Sequence, residues 1–238
     1  MTLYIISSDK SIHSIEAMQY YINKNWNPNP TVKILGYSLP EHFKLASNFE
    51  LISMGEDKGP DYVTSKIYEY MSDIEDEPFI FTVDDFLPIE EVNVNHIEYL
   101  KTKVKEGNIS RISLDSALSG KRTHTIDKID DTEIIQLHSK VSYPGKVSAV
   151  WAIWNKEDFL SSIKGMPSLH AWERASRVSQ NVLGTKEGII RSCHLFKHAR
   201  LRTSWTTIVD SDDDISSEDK NKIQGFLDKW KSEGVIQL

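Results

Sequence analysis

The sequence of 238 residues contains a single cysteine, Cys193, and no apolar run long enough to cross a bilayer. One cysteine excludes an internal disulfide framework and is typical of a reducing compartment, so we expect a cytoplasmic protein. The first residues, MTLYIISSDK, lack the basic start and the long apolar stretch of a signal peptide. The sequence also has no cysteine pair and no G-x-S-x-G segment, which argues against a cysteine-ligated zinc site and a serine hydrolase.

Basic residues are outnumbered, because 28 lysines and arginines stand against 35 aspartates and glutamates, a formal net charge of −7. An excess of negative charge disfavours nonspecific binding to nucleic acid or to anionic membranes, but it leaves room for a local basic groove. The chain has enough apolar residues, 39% of the total, to bury a substantial core. We therefore expect one compact domain, or one domain with an appended lobe.

The most informative stretch is FIFTVDDFLP at residues 79–88. Its first three residues form the apolar run of a strand buried on both faces, and Asp84 and Asp85 follow directly. In α/β proteins, ligands bind beyond the carboxyl ends of such strands. Two adjacent carboxylates there favour a site for Mg²⁺ or Mn²⁺ that also contacts substrate phosphates. The alternative is a turn in which one of the two acids caps the next helix.

The spacing of apolar residues predicts alternating strands and helices, and therefore an α/β fold with a mainly parallel sheet. The predicted strands are 3–7, 31–38, 49–56, 79–81, 111–115 and 146–154. The predicted helices are 11–25, 61–73, 92–105, 155–163, 167–183 and 217–232, the last with a capping box of Ser216 and Asp219.

Polar residues follow the first and third predicted strands, at the edge of the sheet where Asp84 and Asp85 are expected. They are Ser7, Ser8 and Asp9 in the first case and Asp57 and Lys58 in the second. These side chains are candidates for binding a nucleotide, and Lys58 for contacting a phosphate. The alternatives are helix capping by the first group and a solvated surface lysine.

The segment 116–146 is polar and irregular, with one short strand candidate at 133–138. A long polar segment inside a compact domain is usually a functional loop or a lid. Its SGKRT sequence is not a phosphate-binding loop, because Asp115 stands where the first glycine of that motif belongs.

The later part of the chain holds two further groups of candidates. Trp172 and Glu173 lie on a predicted helix, where an aromatic platform and a general base could serve an acceptor. The alternative is a core tryptophan and a Glu173–Arg177 pair along the helix. The basic segment 191–205 contains two histidines four residues apart, which on a helix could face one metal ion, and arginines that could line an anion site; they are His194, His198, Arg200 and Arg202.

Together, the strand–helix–strand start, the segment LISMGEDKGPDYVTSKIYEYM and the motif FIFTVDDF resemble a nucleotide-sugar glycosyltransferase of the GT-A fold. The resemblance is to the small bacterial and viral members with a DDF motif, and it covers roughly residues 3–205. It implies a GT-A-like, Rossmann-like sheet flanked by helices, with a C-terminal acceptor-side helical region. It also implies a donor half at 1–115, a polar loop or lid at 116–146 and an acceptor-side half at 147–238.

The resemblance implies a role for each candidate. Asp85 would ligate Mn²⁺ or Mg²⁺ on the donor diphosphate, together with His194 or His198, and Asp84 would contact the ribose or assist the metal. The first-strand residues would hold the nucleotide of a nucleotide-diphosphate sugar, with a UDP-sugar expected. Glu173 would deprotonate the acceptor, and Trp172, Arg200 and Arg202 would bind it.

The expected acceptor is a glycan or, for a viral member in an infected host cell, a hydroxymethylated base in DNA. The arginines of the basic segment suit a phosphate backbone, whereas the net acidity disfavours DNA. Two other functions stay open at this point. One is a nucleotidyltransferase, which would release pyrophosphate, and the other is a non-catalytic nucleotide- or glycan-binding module.

Overall fold

The computed structural model describes residues 1–75, 77–116, 123–138, 148–175, 181–197, 200–201 and 215–234. The strands are β1 (Thr2–Ile6), β2 (Thr31–Gly36), β3 (Phe49–Ser53), β4 (Phe79–Val83), β5 (Phe86–Pro88), β6 (Arg111–Ser113), β7 (Thr123–Ile129), β8 (Thr132–Leu137), β9 (Ala152–Trp154), β10 (Val182–Thr185), β11 (Ser192–His194), β12 (Phe196–Lys197) and β13 (Arg200–Leu201). The helices are α1 (Ser14–Asn25), α2 (Pro60–Ser72), α3 (Val94–Glu106), α4 (Lys156–Ile163), α5 (Leu169–Arg174) and α6 (Ser217–Ser232).

Nine of these strands form one sheet in the order β3-β2-β1-β4-β9-β6-β10-β8-β7. The pairings make seven strands point in one direction, with β9 and β8 running opposite to them. The order 3-2-1-4 of the first four parallel strands is that of a Rossmann-like half. The predicted fold class, a mixed and mainly parallel α/β sheet flanked by helices, is confirmed.

Each face of the sheet is covered by helices, so the central strands are buried on both sides. The core on one face receives apolar side chains from α1, α3 and α6, and the core on the other face from α2, α4 and α5. This explains why β1 and β4 are continuous apolar runs rather than alternating ones. Polar groups are therefore expected at the ends of the strands rather than along them.

The C-terminal helix α6 packs against α1 and begins with the predicted capping box. The hydroxyl of Ser216 accepts from the Asp219 amide at 3.0 Å and donates to the Asp219 carboxylate at 2.7 Å. Asp219 also accepts from Lys24 at 2.8 Å, and near the other end Lys229 donates to Glu16 at 2.6 Å. These contacts fix the last helix across the first one.

Three local predictions need correction. The predicted helix 167–183 is shorter, because α5 ends at Arg174 and Val182 begins a strand, β10. The polar segment 116–146 contains a hairpin, β7–β8, that extends the sheet, with β8 at the predicted strand candidate. The histidine segment is not a helix where it is described, since His194 lies on β11. Over the described ranges, no helix combines the length and apolarity that a membrane span requires.

Candidate functional site

A cleft of about 670 Å³ opens at the carboxyl ends of β1, β2 and β4. Its walls come from the loop after β1, the end of β2, the start of α2 and the end of β4. The structure brings five of the predicted residues together in these walls: Ser7, Ser8, Asp9, Asp57 and Asp84. The position agrees with the rule that ligands of open α/β sheets bind beyond the carboxyl ends of parallel strands.

Asp84 is the most buried acid of the cleft, with 5% of its surface exposed. Its backbone amide donates to the Ile6 carbonyl at 3.2 Å, so β1 and β4 stay paired up to this residue. Its carboxylate Oδ2 accepts from the hydroxyl of Ser7 at 2.5 Å. The side chain is therefore held at the junction of the two central strands and faces the cleft.

Burial raises the pKa of Asp84 to about 7, and the neighbouring charge of Asp85 adds to the increase. Hydrogen bonds from Ser7, Ser11 and Ser14 act in the opposite direction but do not offset it. A carboxylate in this environment is half protonated near neutral pH. It gains its charge readily only when a cation or a strong hydrogen-bond donor arrives in the cleft.

Asp85 points away from Asp84 and pairs with His194. Its Oδ2 lies 2.9 Å from the His194 Nε2, and its carbonyl accepts from the Leu195 amide at 2.8 Å. The ring of His194 stacks on Phe86 with centroids 4.0 Å apart, because β11 and β5 are antiparallel with these two residues in register. Neither Asp85 nor His194 is among the residues of the cleft wall.

Asp85 and His194 could supply two ligands to a divalent cation, because carboxylate and imidazole groups both bind such ions. In the structure their Oδ2 and Nε2 atoms are 2.9 Å apart, the distance of a hydrogen bond. No group of three or more His, Cys, Asp or Glu side chains suited to a metal occurs within the described residues. A cation here would therefore need oxygen atoms from a substrate, which is usual for ions that bridge to phosphates.

The loop after β1 is organised by serines rather than by helix capping. α1 begins at Ser14, and its N-cap residue His13 makes no side-chain capping bond. The hydroxyls of Ser8 and Ser11 lie 2.9 Å apart. Asp9 Oδ1 accepts from both the amide and the hydroxyl of Ser38, at 3.2 and 2.9 Å. The capping alternative for Ser7, Ser8 and Asp9 therefore does not describe this loop.

The far end of the cleft contains Tyr37, which the sequence patterns did not single out. Burial raises the pKa of Tyr37, and the charges of Asp57 and Asp9 raise it further. Asp57 accepts from the Gly59 amide at 2.8 Å, and Gly59 has a φ of 90°, which favours glycine at this turn into α2. The position of Tyr37 at the end of the second predicted strand, 31–38, was the available signal. Lys58 is exposed and is not part of the cleft wall.

Glu173, on α5, contacts the residues just before β9, the strand that pairs with β4 on the side away from β1. Its Oε1 accepts from the Ala149 amide at 2.8 Å. The register pairs Ala152 with Phe81, so that Ala149, three residues before it, lies level with Asp84. Asp115 follows the end of β6, the next strand. The order of acids along this edge is therefore Asp84 with Asp85, then Glu173, then Asp115.

Trp172 is a core residue and not an acceptor platform, which corrects the prediction. Its side chain is fully buried, its ring lies 5.6 Å from that of Trp154, and its Nε1 donates to Ser162 at 2.9 Å. A ring enclosed in this way cannot stack on a ligand. Of the other acceptor and metal candidates, His198 and Arg202 lie outside the described residues, and Arg200 is described only as part of β13.

Comparison with known proteins gives similarity of fold only. No family model and no curated protein matches the sequence. The chain is similar to the apo form of glycosyltransferase GlyE from Streptococcus pneumoniae TIGR4, with a TM-score of 0.40 and 10% identity over 67% of this chain and 35% of that chain. It is similar to UTP-bound UGPase from Acinetobacter baumannii, with a TM-score of 0.48 and 8% identity over 94% and 98% of the two chains.

A third similar structure is an active-site mutant of LgtC, with a TM-score of 0.44 and 8% identity over 77% of this chain and 72% of that chain. The chain spans about a third of the length of the GlyE chain. At this level of identity, none of these similarities assigns a substrate or an activity to the protein.

Proposed function

We propose that the protein is a metal-assisted glycosyltransferase that moves a sugar from a nucleotide-diphosphate donor to an acceptor hydroxyl. The observation that carries the proposal is the divergence of two adjacent acids, with Asp84 in the wall of a cleft and Asp85 paired with His194. The two largest effects on Asp84, its burial and the charge of Asp85, both disfavour its ionised form. A buried acid of this kind is unfavourable in the empty protein and becomes favourable beside a bound cation.

The cleft supports a pose for the donor along the edge of the sheet. Its volume lies within the range of small-molecule sites. We place the nucleoside at the end with Tyr37 and Asp57, where β2 and β3 finish. The diphosphate then lies across Ser8 and the end of β4, near Asp85 and His194. This pose directs the transferred sugar towards Glu173 at the start of β9.

In the proposed reaction, the acceptor oxygen attacks the anomeric carbon while the bond from that carbon to the diphosphate oxygen breaks. Glu173 accepts the acceptor proton, and the bonding electron pair leaves with the diphosphate. When bound, the cation offsets the negative charge that grows on the diphosphate, an effect worth several kcal/mol. Asp85 and His194 would hold it, and Asp84 orients the donor. This single displacement inverts the anomeric centre.

The proposal is tested by incubating the protein with UDP-, GDP-, CMP- and dTDP-sugars, with Mn²⁺ and then with EDTA. We expect cation-dependent release of the nucleotide from one donor class, with a UDP-sugar as the first candidate. A parallel assay with nucleoside triphosphates and sugar 1-phosphates measures pyrophosphate. Pyrophosphate release without donor hydrolysis would make the protein a nucleotidyltransferase. Thermal stabilisation by a nucleotide without any turnover would make it a binding module.

The acceptor is proposed to be a glycan hydroxyl or the hydroxymethyl group of a modified DNA base. A gel-shift assay with duplex DNA at low salt separates the two, because binding to a phosphate backbone is strongly salt-dependent. Retarded DNA that is released by added salt supports the DNA acceptor. Absence of any shift, combined with transfer to an oligosaccharide panel, supports the glycan.

Glu173→Gln is expected to lower the kcat of sugar transfer by roughly 10²- to 10⁴-fold, because the amide cannot accept the acceptor proton. The KM for the donor is expected to stay unchanged, since Glu173 is not part of the cleft wall. Glutamine keeps an oxygen that can accept from the Ala149 amide, which preserves the start of β9. Glu98→Gln, on the exposed side of α3, is the matched control. An equal kcat for Glu173→Gln and the control would contradict the role of Glu173.

A further inference from the structure

Arg111, the first residue of β6, is completely buried in the core on the sheet face covered by α2, α4 and α5. Its guanidinium lies 5.4 Å from the ring of Trp154, its register partner on β9. Its Nη2 donates to the hydroxyl of Ser113 at 3.3 Å and to the Val150 carbonyl at 3.5 Å. Its Nε and Nη1 have no hydrogen-bond partner in the part of the chain that the structure describes.

Packing does not explain an arginine at this position. Burying a guanidinium is unfavourable unless its N–H groups and its charge are fully compensated, and two of its nitrogens are not. An apolar side chain of similar length would fill the same volume against Trp154 without that penalty. Violations of this kind concentrate at functional sites, so the charge itself needs an explanation.

The surroundings of Arg111 lead to the proposed acceptor side of the site. Arg111 contacts the carbonyl of Val150, and Glu173 accepts from the amide of Ala149, so the two side chains hold adjacent residues at the start of β9. Ser113, which accepts from Arg111, donates to Asp115 Oδ1 at 2.6 Å. Arg111 is thus connected through these contacts to Glu173 and to Asp115, the two acids that follow Asp84 and Asp85 along this end of the sheet.

The charges agree with this geometry. Burial lowers the pKa of Arg111 to about 10, while Asp115 and Glu173 act in the opposite direction. Asp115, beyond the end of the same strand, and Glu173, on α5, are the charged side chains of the described residues that act on Arg111. A buried positive charge attracts both carboxylates and so helps to hold them near the ends of β6 and β9.

We propose that Arg111 is a positioning residue that holds the carboxylate of Glu173 next to the Ala149 amide, just before the start of β9. The inference rests on the proposed function, in which Glu173 takes the acceptor proton. Arg111 does not touch the reacting atoms. It acts through Glu173, at a distance from the donor cleft, whose walls do not include it.

Three substitutions separate charge from packing. Arg111→Lys keeps the charge, Arg111→Gln keeps N–H donors without the charge, and Arg111→Met fills the space with neither. In the Gln and Met variants we expect a kcat about tenfold lower, because the group that takes the acceptor proton is less well positioned. The Lys variant is expected to recover most of this loss. The KM for the donor is expected to be the same in all three.

A second measurement does not require activity. Hydrogen exchange at the Ala149 amide of the full chain, followed by NMR, is expected to be faster in the Gln and Met variants than in the wild type and the Lys variant. Equal exchange and an equal kcat in all variants would overturn the proposal and leave Arg111 a packing residue. If the wild-type protein transfers no sugar, the proposed function fails, and the exchange rates still decide whether Arg111 holds Glu173.

Thermal unfolding of the same variants shows whether they are folded. Arg111→Met is expected to melt no lower than the wild type, because removal of a partly unpartnered buried charge relieves a penalty. If that variant does not fold, the comparison of Lys with Gln decides the question.

Discussion

Asp85→Asn is expected to abolish most sugar transfer, with a loss of roughly 10²- to 10⁴-fold in kcat at saturating Mn²⁺. Asparagine matches the size of aspartate and can keep a hydrogen bond to His194, but it lacks the charge that holds a divalent cation. The variant is therefore expected to fold normally while its midpoint for Mn²⁺ activation rises steeply. The measurement is donor hydrolysis and transfer as a function of Mn²⁺ concentration, beside a circular dichroism melt.

The chain supplies a matched control for this substitution. Asp130 pairs with His96 at 2.8 Å, nearly the same geometry as Asp85 with His194, but it lies in the turn between β7 and β8. Asp130→Asn is expected to retain full activity and the wild-type response to Mn²⁺. If Asp85→Asn behaves in the same way as Asp130→Asn, the assignment of the cation site to the Asp85–His194 pair is wrong.

The second large effect concerns stability and pH in the cation-free protein. The pKa of Asp84 is about 7 in the fold against 3.8 for an ordinary aspartate, so the folded chain binds this proton more tightly than the unfolded chain. Stability from this group is therefore fully present below pH 4 and is lost as the pH rises to 7. The shift corresponds to roughly 4 kcal/mol in total, of which roughly 2 to 3 kcal/mol falls between pH 5 and pH 8.

Asp84→Asn removes this dependence, because the amide has no proton to lose and can still accept from Ser7. In urea unfolding with EDTA, the variant is expected to be more stable than the wild type at pH 8, with the advantage shrinking at pH 5. Added Mn²⁺ and nucleotide are expected to stabilise the wild type and have little effect on the variant. A difference between the two proteins that is the same at both pH values would show that Asp84 is charged throughout this range.

Much of the sheet could be predicted because its physical causes are local. β1 and β4 are buried on both faces, which requires the continuous apolar runs that the sequence displays. The same reasoning located the cleft, since the ends of parallel strands meet at one edge, and Ser7, Asp9, Asp57 and Asp84 follow those strands. The spacing of apolar residues was sufficient to predict a helix or strand wherever that element packs one face against the core.

The rest depended on contacts between distant parts of the chain. His194 meets Asp85 only because β11 pairs with β5, two strands of three residues each that carry no periodicity. Trp172 was placed on the correct helix, but the rings that enclose it come from β4, β9 and α4. The burial of Arg111 could not be predicted from the sequence either, because an arginine is normally expected at the surface.

The position of β9 has a consequence for how the site comes into being. This strand hydrogen-bonds to β4 on one side and β6 on the other, although both are made well before it. Until β9 has been synthesised, β4 and β6 each lack a hydrogen-bonding partner at the centre of the sheet, next to the acids at the strand ends. A nascent chain interrupted before this point carries exposed strand edges that chaperones would have to shield.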